Sequence, residues 1–180
     1  WVPATLGAAL LVGQFALVWP TRPYYLTYYN PAVGGSRTAP QILVMGWGEG
    51  LDMAAAYLNA KPQADKLIAS SWHKMEFARF FQGRTIQTQL DLPRAEPDYY
   101  VLYYSVLQRH VMPPISDPLL ANGGPEYTAT INGVPYAYVY PNTIYRQAEQ
   151  TILDHIAAQA NPQDDLILVD LNAAFARHYR

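Results

Sequence analysis

Three side chains in the stretch ILVMGWGEGLD, residues 42 to 52, have the types and spacing for ligand chemistry: Trp47, Glu49 and Asp52. They stand among Gly46, Gly48 and Gly50, where four apolar residues give way to a helix-like pattern. A strand that turns through glycines into a helix opens many nucleotide sites. The dinucleotide fingerprint G-x-G-x-x-G is not met, because the third glycine, Gly50, follows Gly48 too closely. Glu49 and Asp52 would repel a pyrophosphate at the helix N-terminus, whereas they suit the helix dipole as capping charges. The structural reading therefore leads. The functional alternative is a neutral, hydroxyl-rich ligand that donates hydrogen bonds to Glu49. Trp47 on such a turn has three possible roles: stacking on a sugar ring, touching lipid, or entering the core.

Other reactive residues are sparse. His73, His110, His155 and His178 have no helical metal-ligand spacing between them, so no metal is expected, and no cofactor. Asp164 and Asp165 read as a solvated loop. Asp170 ends a strand-like run, the end at which α/β sheets bind ligands, and is a candidate binding residue beside a simpler role as a turn cap. Ser70, Ser71, Trp72 and His73 close another strand, again with a loop cap as the plainer reading. There is no G-x-S-x-G elbow, and the absence of cysteine removes thiolate nucleophiles and disulfides. No catalytic residue is assigned.

Composition narrows the class of protein. The chain has 180 residues, of which 51% are hydrophobic and 14% charged, against about a quarter charged in ordinary globular domains. That deficit points toward a membrane. The net charge is −2 with no basic run, so nucleic acid is not an expected partner. Fifteen tyrosines make the chain too aromatic for disorder.

The opening WVPATLGAALLVGQFALVWP carries no charge. Twenty residues in a helix span about 30 Å, the thickness of a bilayer core. Trp1 and Trp19 mark its two ends, and Tyr24, Tyr25, Tyr28 and Tyr29 follow at headgroup level. A soluble core helix or a signal remnant would explain the apolar run less well. The chain begins with Trp1 and reads as a piece of a longer protein, so residues 1–20 are expected to be the last membrane helix of a polytopic chain.

Residues 21–40, rich in tyrosine and proline, form an irregular connector to an outer α/β domain over 41–180. In that domain Ile42 to Met45 reads as a buried strand. Leu51, Ala54, Ala55 and Leu58 then give one face of a helix. KLIAS at residues 66–70 is a second strand. The helix in HKMEFARFFQG has Met75, Ala78, Phe80 and Phe81 inside and Gly83 as its stop. TIQTQLDL alternates as a half-exposed strand, and residues 98–109 form a central one. A proline- and glycine-rich loop leads to a hairpin turning at Asn132-Gly133. A helix from Asn142 follows, with Ile144, Ala148, Ile152 and Ile156 on one face, then the strand DDLILVD and a final short helix. The alternation predicts a mostly parallel, Rossmann-like three-layer sheet with a late hairpin, behind one transmembrane helix.

The phrases YYLTYYNPAVGG and ILVMGWGEGLDMAAAYLN, with the late DLILVDLNAAFARHYR, carry a resemblance. They are similar to the region after the last membrane helix in bacterial multi-spanning glycosyltransferases of the protein-mannosyltransferase-like kind (glycosyltransferase family 39 and its dolichyl-phosphate-mannose-type relatives). The resemblance implies transfer of a sugar from a polyprenyl-phosphate donor to an extracytoplasmic acceptor, at the cell membrane. It implies membrane lipid and the upstream transmembrane domain as partners, with a glycan or lipid-linked sugar as ligand. The family's catalytic acid lies in the first extracytoplasmic loop, outside these residues, so the piece would be an accessory domain. The alternative is a membrane-anchored, non-catalytic module that binds a glycan or a protein.

Overall fold

The computed structural model describes residues 2–88 and 96–159. Helix α1, Val2–Val18, is followed by three short 3-10 turns and by α2, Gly35–Ile42. Then come α3 (Leu51–Asn59), β1 (Ile68–Ser71), α4 (Lys74–Phe77), β2 (Arg84–Gln87) and β3 (Tyr99–Tyr103). Helices α5 (Tyr104–Gln108) and α6 (Pro113–Asn122) precede the hairpin of β4 (Tyr127–Ile131) and β5 (Val134–Pro141), and α7 (Asn142–Gln159) closes the described chain.

The five strands form one sheet in the order β2-β1-β3-β5-β4, flanked by helices. β1 pairs in parallel with β2 and β3, while β5 runs antiparallel to both β3 and β4. The antiparallel ladders are the longer ones. The sheet is thus mixed, not mostly parallel as the alternation suggested. The cause is the hairpin: a short turn can only reverse the chain, and here β5 joins the main sheet beside its central strand β3, with β4 as the edge, instead of forming an appendage. Asn132 (φ 51°) and Gly133 (φ 76°) make that turn in the left-handed region, as a type I′ turn requires.

α1 stands outside the core. A stretch of 19 residues, Pro3–Thr21, has mean hydropathy 1.4 and is 6% buried, with Leu6, Leu10, Leu11, Val12 and Phe15 all exposed. It is long and apolar enough to cross a membrane. A core helix would hide those side chains, and this one hides almost none.

The core lies between the sheet and the helices. Leu51, Ala54, Ala55 and Leu58 of α3 are completely buried against the hairpin strands, as their spacing predicted. In α4 the expected face is rotated. Met75, Ala78 and Phe80 are exposed, and Phe77 joins Phe81 inside, with ring centroids 5.3 Å apart. The helix ends at Phe77, so Gly83 does not stop it; a Cβ on Gly83 would stand 2.4 Å from the Leu67 carbonyl, which makes it a close-approach glycine beside β2. The long central run is cut after Tyr103, where α5 begins. Proline-rich 113–122 is helical and not a loop. Pro113 and Pro114 fall in the first turn, where an N–H has no intrahelical partner to lose, and Ile115 and Leu119 are buried while the helix packs on α7. The connector too is more regular than predicted, since α2 occupies its last third. On α7, Ile144 packs on the core and Ile152 is 40% exposed. The expected last strand, the final helix, and the end of TIQTQLDL fall outside the described residues.

The largest departure concerns Ile42 to Met45. The segment is no strand and joins no sheet. The Leu43 N–H still closes on the Ala39 carbonyl at 2.9 Å, and beyond it one side chain takes the place of a strand partner. Gln108, the last residue of α5, accepts the Met45 N–H at 2.9 Å and donates to the Pro40 and Leu43 carbonyls at 2.7 and 3.0 Å. An amide carries both a donor and an acceptor, so it can replace a neighbouring strand over three residues. Met45 is buried, while Ile42, Leu43 and Val44 are exposed.

Candidate functional site

The chain passes from β1 to β2 on one side and returns to β3 on the other. The carboxyl ends of β1 and β3 therefore flank a reversal of strand order, the place where open α/β sheets hold ligands. β1 ends there in Ser71-Trp72-His73 and β3 in Tyr103. The glycine turn lies against the same end.

Tyr103 organises the turn. Its buried hydroxyl accepts the Gly48 N–H at 3.0 Å and lies 3.2 Å from the Glu49 carboxylate, to which it donates. The glycines are needed for this approach. Gly46 has φ +92°, and a Cβ there would stand 2.3 Å from the Tyr103 hydroxyl. Glu49 Oε2 also accepts the Trp47 N–H at 2.6 Å, closing the turn on itself. Among the described residues no hydrogen bond engages Glu49 Oε1. The Tyr29 and Tyr136 phenols interact with each other, and both sit near Glu49. Burial pushes both the Tyr103 and Tyr136 phenols well above their ordinary range, helped by the Glu49 carboxylate at Tyr103 and by Tyr29 ahead of Glu49 at Tyr136, so both stay protonated. The Gly48 N–H opposes that shift at Tyr103.

A cavity of about 290 Å³ opens over this cluster. Tyr29, Glu49 and Tyr136 supply its polar wall, and Leu26, Leu43, Val44 and Trp47 its apolar one. Trp47 is 84% exposed, the highest value among the exposed large hydrophobic side chains, so its place is not the core. An indole face beside a carboxylate and phenols suits a hydroxylated ring, whose C–H face packs on the indole while its hydroxyls bond the carboxylate.

Not every expected residue arrives here. Asp52 is in the first turn of α3, but its carboxylate accepts the Tyr24 hydroxyl at 2.6 Å and holds the connector to the domain. It is not a wall of the cavity. Glu49 is not a helix cap either: Gly50 occupies the N-cap at φ 82°, and no side chain caps α3. Asp170 lies outside the described residues.

The sequence reading missed Tyr29, Tyr103 and Tyr136. Their signal was diluted by the number of tyrosines, and the central strand expected over 98–109 put Tyr103 mid-strand, whereas β3 ends there. It gave His73 only a loop-cap role. Here the His73 ring meets Tyr103 edge-on, with centroids 4.7 Å apart, and burial lowers its pKa against an opposing pull from Glu76. Ser71 is fully buried at the end of β1 with its hydroxyl unpartnered, and Ser70 bonds Thr88 at 2.9 Å. Among the described residues, no three His, Asp or Glu side chains gather in the way a metal ion needs. The arrangement can bind and orient hydroxyl groups. It lacks a nucleophile held by a base. Comparison with protein-family models, curated proteins and solved structures finds no match to this chain.

Proposed function

We propose that this chain is the terminal membrane helix and outer accessory domain of an integral-membrane glycosyltransferase. The parent protein would move a sugar from a polyprenyl-phosphate donor to an extracytoplasmic acceptor, with its reacting carboxylate elsewhere. The observation that supports this most is the opening helix: Pro3–Thr21 is uncharged, long and apolar enough to cross a membrane, and only 6% buried. The family resemblance of the connector and the glycine turn supplies the reaction class. In this reading the cavity at Trp47 and Glu49 holds hydroxyl groups of the acceptor or of the lipid-linked sugar.

Membranes carrying the whole protein test it. Transfer from a polyprenyl-phosphate-linked sugar is expected, and Trp47→Ala or Glu49→Gln should raise the acceptor KM with little change in kcat. Absence of transfer from any such donor overturns the reading.

The second reading, a membrane-anchored glycan-binding module, is favoured by the exposure of Trp47 beside Glu49 without a reactive pair. Saturable binding of a neutral oligosaccharide, lost in Trp47→Ala, with no transfer by the whole protein, would select it.

A further inference from the structure

The segment between α2 and α3 shows its apolar side chains to the outside by construction. Ile42 is 72% exposed, Leu43 51% and Val44 64%, with Trp47 beyond them at 84%. Leu26 of the connector, 69% exposed, lines the same cavity as Leu43, Val44 and Trp47. These positions are not loose ends of the chain. Gln108 grips the backbone from inside at Pro40, Leu43 and Met45, and Met45 is anchored in the core. An internal clamp on the main chain with large aliphatic groups turned outward is a costly arrangement in water.

Two further observations say what covers the patch. From Thr38 to Gly48 there is no Asp, Glu, Lys or Arg, so no charged side chain on the segment resists leaving water. The patch is also continuous with the exit of α1. The end of that helix, at Leu17, Pro20 and Thr21, borders a cavity walled by Tyr28 and Tyr29, and Tyr29 is in turn a wall of the cavity under Trp47. Trp19 and Arg22 stack at that exit, with the guanidinium 3.3 Å from the ring centroid, as an interfacial anchor pair would.

The geometry points to a second membrane contact: Leu26, Ile42, Leu43, Val44 and Trp47 dip into the headgroup–acyl boundary of the bilayer that α1 crosses. The mouth of the Glu49 cavity, which Leu43, Val44 and Trp47 line, then lies at headgroup level and is entered from the membrane side. This deepens the proposed function and rests on α1 being in lipid. It narrows the ligand to one with a hydroxylated head and an apolar tail.

The test is tryptophan quenching of the full chain in phosphatidylcholine vesicles at low protein-to-lipid ratio. Subtracting the spectrum of Trp47→Phe from that of the native chain isolates Trp47, and Trp19→Phe isolates Trp19 in the same way. Trp47 emission should be blue-shifted and mostly lost with lipids brominated near the headgroup. It should be lost far less with lipids brominated at the chain end, and little with aqueous acrylamide. Ile42→Ser with Val44→Ser should restore the acrylamide quenching. If Trp19 is quenched by brominated lipid and Trp47 only by acrylamide, the inference fails while the membrane reading of α1 stands. If neither is quenched by lipid, both fail. Shielding of Trp47 from lipid and water alike would mean a protein partner or a second copy covers it, and would also overturn the inference.

Discussion

Gln108→Met is the sharpest test of how the glycine turn is positioned. Methionine keeps the length and flexibility of glutamine and removes both its donor and its acceptor. Three hydrogen bonds disappear, to Met45 N–H, the Pro40 carbonyl and the Leu43 carbonyl. The Leu43 carbonyl bond is exposed, so water replaces it at little cost. The Met45 and Pro40 bonds are part-buried. Each backbone group left there without a partner costs about 1–3 kcal/mol, so the loss is roughly 2–6 kcal/mol when both stay dry. Local opening of the segment limits the loss, because water can then reach both groups. Two assays separate these outcomes. Urea unfolding of the chain in detergent micelles reads the global loss, and amide exchange at Met45 and Trp47 reads local opening. Gln108→Glu sharpens the comparison. It keeps the acceptor for Met45 N–H but sets a carboxylate against two carbonyls, so exchange should rise at Leu43 before Met45. Unchanged stability together with unchanged Met45 exchange in Gln108→Met would refute the claim that one amide side chain substitutes for a missing strand.

Further outcomes are expected elsewhere. Gly46→Ala forces a side chain into left-handed backbone and into Tyr103; the two costs, about 1–2 and 1–3 kcal/mol, should lower Tm by roughly 5–15 °C, whereas Gly124→Ala, with open space around it, should leave Tm nearly unchanged in the same scan. Tyr24→Phe removes the bond to Asp52 and should cost about 1–2 kcal/mol while speeding tryptic cleavage after the exposed Arg37 at the far end of the connector; equal cleavage rates would show that the bond does not hold the connector. His73 titrates below its ordinary 6.5 because of burial, despite Glu76. The unfolded chain therefore binds a proton that the folded chain resists. Stability held above pH 6.5 should fall as pH drops toward the folded pKa, by up to about 1.4 kcal/mol per pH unit. His73→Gln should flatten that part of the stability–pH curve, and an unaltered slope would remove His73 as its source.

Local signals that matched tertiary need were legible in the sequence. The Leu51, Ala54, Ala55, Leu58 stripe is buried as its spacing requires, and Asn132-Gly133 turns the hairpin. The apolar helix is where the uncharged opening placed it. The sequence failed where one apolar run has two possible settings. Ile42 to Met45 has the composition of a buried strand, but its partner proved to be a side chain 63 residues away from Met45, a pairing no periodicity encodes. Phe77, not Phe80, fills the core, because α4 spans only four residues and too few turns exist to define a face. For the site, Trp47 and Glu49 were legible from the turn chemistry. The tyrosines that complete it come from the connector, β3 and β5, and only the sheet order brings them together.

Asn132, at the tip of the hairpin, donates to the Thr27 hydroxyl of the connector at 3.3 Å, and Tyr24 of the same connector is fastened to α3 through Asp52. The stalk is therefore stitched to the globule at two points far apart in the chain. A domain held in this way cannot swivel on its root like a flag on a pole. Any tilt of the root would be felt at the hairpin tip and at the start of α3, one residue past Gly50 and the ligand turn.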